Sequence, residues 1–513
     1  MPQTYALANP LSLIVDKPRE EFTREDLLRI IEARQIERLT FHYVALDGKL
    51  KELKLPVASR EQAERILANG ERADGSSLFK GLVDAAVSDV YVVPVYKTAF
   101  LNPFDEGSLD FICRYLMPDG SRAPFALDNI LHNAHDYFQR STGYELHALG
   151  ELEFYLLYDP SLHIFPTEKQ QGYHASAPFT KAGPILNEMV YHITRLSGAV
   201  KYAHCEVGVM ECVRSDLQEI KGKQAEQLEI EFLPAPMEDM GDALVLARWL
   251  IRNTAYKHGC VATFTPKLEE GIAGNGLHVH MELRRDGWNA MTGADGRISA
   301  QARQLIGGLC TYADSLTAFG NTVSSAYLRL VPNQEAPTRI CWSDMNRSAM
   351  IRVPLGWGNV DHLAGRLNPQ QPDLPAGAES RQTVELRSPD GSALVHLLLA
   401  GLTLAAEWGL KHPAEAQQIA DSLYVRGNIF RNKDVLNRLA ALPTSCEESA
   451  QILLQKRQLY EGEGVFPASI IAYVADLLKA EKDANMNCIL ADLPADDRLH
   501  ATRRIMHKDL HRH

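Results

Sequence analysis

Gly150-Glu151-Leu152-Glu153-Phe154 sits inside an otherwise apolar run from Leu149 to Tyr158. A strand turns successive side chains to opposite faces, so Glu151 and Glu153 share one face and Leu152 and Phe154 the other. Neighbouring carboxylates on one face repel each other unless something cationic holds them. A divalent ion with oxygen ligands meets that need. The same device recurs along the chain. Leu277-His278-Val279-His280-Met281 aligns two imidazoles, Leu228-Glu229-Ile230-Glu231-Phe232 two more carboxylates, and Thr383-Val384-Glu385-Leu386-Arg387 a carboxylate and a guanidinium. Strands bury polar groups where ions or ligands satisfy them. Four such strands predict one polar funnel.

The chain has 513 residues, too long for one simple core, so two domains or one elaborated domain are expected. Apolar residues make up 45% and charged residues 23%, as in an ordinary globular protein. A net charge of −12 argues against general nucleic-acid binding, which needs a basic surface. Local arginines still allow a small anionic substrate. The eight cysteines form no CxxC pair and read as reduced, buried thiols. Met1 to Lys17 lacks a basic start and a long apolar core, so no secretion signal is expected. Leu394 to Leu410 contains His396 and Glu407 and reads as a buried helix, not a membrane span. A cytoplasmic protein follows.

The first 22 residues or so show no period and are expected to extend from the body. Thr23 can cap a helix from about Arg24 to Arg34. Arg38 to Ala45, Leu50 to Leu55, Val87 to Val95 and Leu109 to Leu116 read as strands, with Asp74-Gly75-Ser76-Ser77 as a polar loop between them. A helix from Leu127 to Ser141 then leads into the Glu151 strand. Asp242 reads as the cap of a helix that runs to His258, and from Ser392 onward the pattern is mostly helical. The expected fold class is α+β: a small mixed β domain and a larger catalytic domain whose curved antiparallel sheet forms the funnel, helices outside.

These segments, in this order, resemble glutamine synthetase of the bacterial class. Asp74-Gly75-Ser76-Ser77 is similar to that family's amino-domain loop, and Gly150 to Phe154 to its first metal strand. His204 to Val207 and Gln227 to Phe232 resemble the next metal elements, and Gly274-Asn275-Gly276-Leu277-His278-Val279-His280 its Gly-rich metal strand. Arg329 to Pro332, Glu335-Ala336-Pro337, Asn346 to Pro354 and Val384 to Asp390 resemble its substrate arginine, flap, arginine motif and final metal strand. The resemblance spans about residues 25 to 480. It implies a β-grasp-like amino domain over 25–125 and a catalytic domain over 126–480, leaving an extension at 1–24 and a tail at 481–513.

The resemblance also implies a chemistry. ATP phosphorylates the γ-carboxylate of glutamate, and ammonia displaces phosphate from the acyl phosphate to give glutamine. Two Mg²⁺ or Mn²⁺ ions assist, one held by Glu153, Glu206 and Glu229, the other by Glu151, His278 and Glu385. Arg329 and Arg387 would hold glutamate beside Gly274, while His280, Arg347 and Arg352 would face the phosphates. Asp74 would bind ammonium and take its proton, reaching in from a neighbouring subunit, with Tyr173 and Ser77 lining that pocket. Glu335 would close over the intermediate. The implied assembly is a homo-dodecamer of two stacked hexamers. Two alternatives stand beside this: a γ-glutamylamide ligase that uses an organic amine, and a non-catalytic homologue. One departure stands out. Glu229 lies further beyond Glu206 than the family usually places it, so Met210 to Lys223 reads as an insertion near the metal site, and the tail has no counterpart.

Overall fold

Two sheets carry the fold of the computed structural model, which describes residues 5–160, 165, 168–331, 336–356, 363–370 and 380–512. The first sheet holds β1 (Arg38–Val44), β2 (Leu50–Pro56), β3 (Glu71–Asp74), β4 (Asp89–Pro94), β5 (Phe100–Leu101) and β6 (Ser108–Leu116). Their order is β2-β1-β6-β4-β3, with β5 beside β6. Only β1 and β6 run parallel, so the domain is the mixed, grasp-like sheet expected. The Arg24–Arg34 helix begins at the predicted cap, where the Thr23 side chain and the Asp26 backbone and side chain satisfy each other reciprocally.

The second sheet holds β7 (Glu145–Tyr158), β8 (Val200–Met210), β9 (Gln224–Phe232), β10 (Ala235–Pro236), β11 (Val261–Thr263), β12 (Leu277–Arg285), β13 (Trp288–Asn289), β14 (Trp342–Asp344), β15 (Ile351–Val353) and β16 (Val384–Leu386). Its main path is β14-β15-β16-β12-β7-β9-β8, antiparallel except for β14 beside β15. The Val395–Lys411 helix buries almost every side chain between the helices Leu127–Thr142 and Ala300–Gly320. A helix apolar on all sides belongs in the middle of a large core, which is why this stretch mimics a membrane span. No helix among the described residues is long and apolar enough to cross a membrane.

Three local expectations are corrected. The leading segment folds back: Pro10–Val15 is helical and buries Leu11 and Val15 against the amino domain. Asp242 is not a cap. The helix starts at Met237, and Asp242 lies buried within it, 2.6 Å from Arg114 of β6. Met210–Lys223 is not at the metal site. It extends the β8–β9 hairpin, closed by Val213 N–H to Lys223 O at 2.8 Å, and none of Glu211–Lys223 lines the catalytic cavity described below. Among the thiols, Cys212 and Cys488 are exposed.

The domains meet through polar and aromatic contacts. Arg114 also approaches Asp128 at 3.5 Å, and His396 approaches Asp242 at 3.5 Å. Trp249, on the same helix as Asp242, lies edge-on to His42 at 5.1 Å and packs against Phe104 at 5.6 Å.

Candidate active site

Strand register builds the site. Glu151 of β7 stands opposite His278 of β12 on one side and Glu231 of β9 on the other. Glu153 stands opposite Glu229, which in turn stands opposite His204 of β8. Glu385 of β16 pairs with His280 of β12 and with Arg352 of β15. Side chains two apart on each strand face the same way, so these groups form a continuous polar surface across six strands. His278 Nδ1 lies 2.6 Å and His280 Nε2 2.9 Å from the two oxygens of Glu151.

Glu206 reaches this surface through an irregularity. Between Cys205 and Val209 the pairing of β8 with β9 slips, so that Glu206, Val207 and Gly208 stand against Gln227 alone. A bulge of this kind re-aims side chains. Gly208 N–H donates to Gln227 Oε1 at 3.0 Å, and a Cβ on Gly208 would collide with the Tyr155 hydroxyl. Gln227 Nε2 donates to Glu153 Oε2 at 3.1 Å and to Gly274 O at 3.0 Å. This buried amide therefore ties the bulge, a carboxylate and the Gly-rich segment together.

Charge is balanced on one half of the surface only. Burial pushes the Glu151 carboxyl up, but His280 and His278 outweigh it and hold it well below the usual range. Burial pushes Glu385 up as well, but His280 and Arg387 outweigh it and hold it down. On the other half, burial and then Glu229 and Glu206 push Glu153 well up, and burial with Glu151 and Glu206 does the same to Glu229. Like charges in a low dielectric resist ionisation until a cation joins them. The donor set thus fits divalent metal. Ligand atoms of Glu151, His278 and Glu385 lie within 4.8 Å of one another, as do those of Glu151, Glu231 and His280, and those of His204, Glu206 and Glu229. The first trio is the second-metal set expected from sequence. In the third, His204 stands where Glu153 was expected. Sequence alternation could have found it, because His204 and Glu206 are two apart. Glu231, which meets Lys201 at 2.6 Å, was likewise visible but carried no role.

A cavity of 680 Å³ opens above the surface, lined by Glu151, Glu153, Glu206, Glu229 and His278 and by Arg329, Arg347, Arg352 and Arg387. Arg352 Nη1 reaches Glu385 at 2.6 Å, and Arg387 meets the other oxygen of the same carboxylate at 2.5 Å. Arg329 is buried and donates to Ser388 O at 3.0 Å. Gly274 lines the wall beside it, and a Cβ there would strike Pro266 O and the Arg329 side chain. Tyr173 also lines the cavity, with Arg347 5.9 Å above its ring. His280 lies behind: its nitrogens meet Glu151 and Thr383, and it does not line the cavity. Asp74 and Ser77 are elsewhere on this chain. Asp74 caps the short Gly75–Leu78 helix, and the Ser77 and Ser76 hydroxyls hold its carboxyl at about 2. Glu335 lies outside the described residues.

Comparison with known proteins gives this geometry its lineage. A family model described as "Glutamine synthetase, catalytic domain" matches residues 128–487, and one described as "Glutamine synthetase, beta-Grasp domain" matches 35–118. The chain belongs to the glutamine synthetase family. A protein named glutamine synthetase from Pyrococcus horikoshii is 29% identical over 403 residues, covering 78% of this chain and 79% of that one. Its namesake from Thermus thermophilus is 28% identical over 459 residues, covering 86% and 92%. Among solved structures, the cryo-EM structure of Plasmodium falciparum glutamine synthetase superimposes with a TM-score of 0.71 at 19% identity, over 93% of this chain and 98% of that one. A structure titled as a GmaS/ADP complex does so with 0.69 at 20%, over 92% and 98%. These two bear on the fold. As a glutamine synthetase family member the chain is a carbon–nitrogen ligase.

Proposed function

We propose that this chain is a glutamate–ammonia ligase: it transfers the γ-phosphoryl group of ATP to the γ-carboxylate of glutamate, and ammonia then displaces phosphate to form the amide. The observation that carries this is the half-balanced polar surface under a cavity walled by five arginines, Arg431 among them. A carboxylate is a poor electrophile, and phosphorylating it brings anion against anion, so positive groups must surround the transfer. Two Mg²⁺ or Mn²⁺ ions would supply part of that charge when bound, one held by Glu151, His278 and Glu385 and one by Glu206 and Glu229 with Glu153 or His204 beside them.

 Arg329 and Arg387 hold the carboxylates of glutamate beside Gly274, and Arg347 and Arg352 face the phosphates. His280 orients Glu151 from behind, and its place there leaves a direct phosphate contact to conformational change. Glu335 closes over the acyl phosphate and keeps water away.

We further propose that the active unit is a homo-oligomer of the bacterial class, two stacked hexamers, in which Asp74 and Ser77 complete a neighbour's site. Their distance from their own cavity supports this, and so does their setting. Asp74 pairs in register with Asp89 at the end of β4, near exposed Val87 and Tyr91. Apolar side chains left open beside a cluster of acids suit a subunit contact. A carboxyl held at about 2 binds an ammonium ion well and is a weak base until its serines let go.

One observation favours an organic amine instead of ammonia. Tyr202, Tyr173 and His204 line the cavity, and His174 packs at a tilt against the last two, with ring centroids 4.3 and 4.2 Å away. Aromatic walls attract substituted ammonium ions. The deciding experiment measures ATP-dependent phosphate release with glutamate while ammonium, methylamine and diamines are offered in turn. Amide formed fastest with ammonium supports the first reading, and amide formed only with amines supports the second. Phosphate release with neither would overturn both.

A further inference from the structure

Two segments without an assigned role meet beside the catalytic sheet, where the hairpin packs on Tyr155 and Leu157 further along the strand that carries Glu151 and Glu153. The first is the 211–223 extension of the β8–β9 hairpin. The second is the tail, whose Ala495–His507 helix lies beyond the catalytic-domain match ending at residue 487. They enclose a cavity of 650 Å³. Five of its thirteen lining residues are Lys or Arg and only Asp216 is acidic, on a protein whose net charge is −12. Arg503 is paired with Glu269 and Lys508 with Glu481. Arg214, Lys221 and Arg504 have no side-chain partner among the described residues. Much of the remaining wall is apolar, with Val213 and Leu217 in it. Unpaired cations around an apolar hollow of this size suit a ligand with an anionic head and an apolar body.

Two residues that line this cavity, Arg503 and His507, are bonded to a segment that also lines the active site. Buried His507 links three parts: its Nδ1 meets Ser215 Oγ at 2.9 Å and its Nε2 meets Leu268 O at 2.8 Å. Arg503 Nε donates to Glu269 at 2.8 Å, and Thr265 Oγ1 donates to Met506 O at 2.8 Å. The segment gripped in this way, Thr265 to Gly274, presents Lys267, Ala273 and Gly274 to the catalytic cavity. Whatever draws the hairpin and tail helix together therefore bears on the wall where glutamate is proposed to sit.

We propose that this cavity is a second binding site, for a small organic phosphate, and that its occupancy adjusts the catalytic cavity through the 265–274 segment. A ligand shifts such an equilibrium only by binding one arrangement better than the other, so affinity and rate must change together. The test uses the full chain and three probes: phenyl phosphate, inorganic phosphate and phenol. Calorimetry should show saturable binding of phenyl phosphate, about tenfold tighter than either fragment, as expected when head and body both contribute. The Arg214→Glu/Arg504→Glu variant should bind it about tenfold more weakly while its KM for ATP and glutamate stays unchanged. Arg504→Glu alone, on an exposed helical position, serves if the double variant does not fold. Saturating phenyl phosphate should change the parent's KM for glutamate at least about twofold and leave the variant's unmoved. No saturable binding, equal binding by parent and variant, or binding without an effect on KM overturns the proposal. The binding arms do not depend on which amine the enzyme uses.

Discussion

Gln227→Leu is the sharpest probe of how the site is held. The side chain is buried and touches neither the cavity nor substrate, yet its amide meets Glu153, Gly274, Asn275 and Gly208. Leucine keeps comparable volume and removes every one of those bonds. The Gly274 and Asn275 oxygens each lose one neutral hydrogen bond, about 1 kcal/mol apiece at most after local relaxation. Glu153 loses a bond to a charged acceptor, about 1.5–3 kcal/mol. This last loss bears directly on the carboxylate face and corresponds to about 10–100-fold in equilibrium terms, while the Gly208 N–H, which also loses its acceptor, belongs to the bulge that aims Glu206. The prediction is that Mn²⁺ binds the variant about 10–100-fold more weakly, measured by titration calorimetry on the full chain, as for other residues that orient a metal ligand. Gln227→Glu adds a carboxylate beside Glu153 and should bind no better than Gln227→Leu at neutral pH. If Gln227→Leu folds with an unchanged melting temperature and binds Mn²⁺ within twofold of the parent, the idea that this amide positions Glu153 is wrong.

Three further outcomes are expected. If Asp74 completes a neighbour's site, Asp74→Ala and Glu229→Ala proteins should each be nearly inactive, and dissociating and reassembling them one-to-one should restore about a quarter of parental activity by random placement in a ring; no recovery in mixed oligomers refutes the shared site. Glu335→Ala should release phosphate slowly from ATP with glutamate present but form amide about a hundredfold more slowly, in a coupled assay that follows both products; amide at the parent rate refutes the role. Burial pushes the Glu481 carboxyl up, but Lys508, Ser324 and Arg512 outweigh it and hold it at about 2. Its folded value is therefore depressed, so the stability it contributes is present above the usual carboxylate range and lost as pH falls toward 2. The melting-temperature gap between the parent and Glu481→Gln should be widest near pH 7 and close on acidification; a gap independent of pH refutes it.

The polar strands were legible because period-two alternation survives in sequence: Glu151 with Glu153, His278 with His280 and Glu229 with Glu231 announce a shared face whatever their partners. Register was not legible, since it is fixed by long-range pairing. Nothing near Glu229 in sequence says that His204 stands opposite it, or that Glu206 leaves the ladder at a bulge. Asp242 misled for a related reason. An Asp ahead of an apolar helical run looks like a cap, and only its distant partner Arg114 explains an acid one turn inside the helix. Nothing in the polar tail itself marks His507 as buried, because the hairpin that covers it comes almost three hundred positions earlier.

The Arg114 cluster has a mechanical consequence. One guanidinium of the amino domain is wedged between Asp242 and Asp128 of the catalytic domain, with all three side chains nearly excluded from solvent. Such a joint has no intermediate stop: sliding it apart strands buried charge at about 3–5 kcal/mol before water can enter. Trp249, seated among His42, Phe100 and Phe104, acts as a second pin some way along the same helix. Two pins on one rod remove both the hinge and the swivel, so the two domains travel as a single rigid lever. Any large displacement in the working enzyme is then left to loops at the rim of the funnel, or to whole subunits rocking against one another.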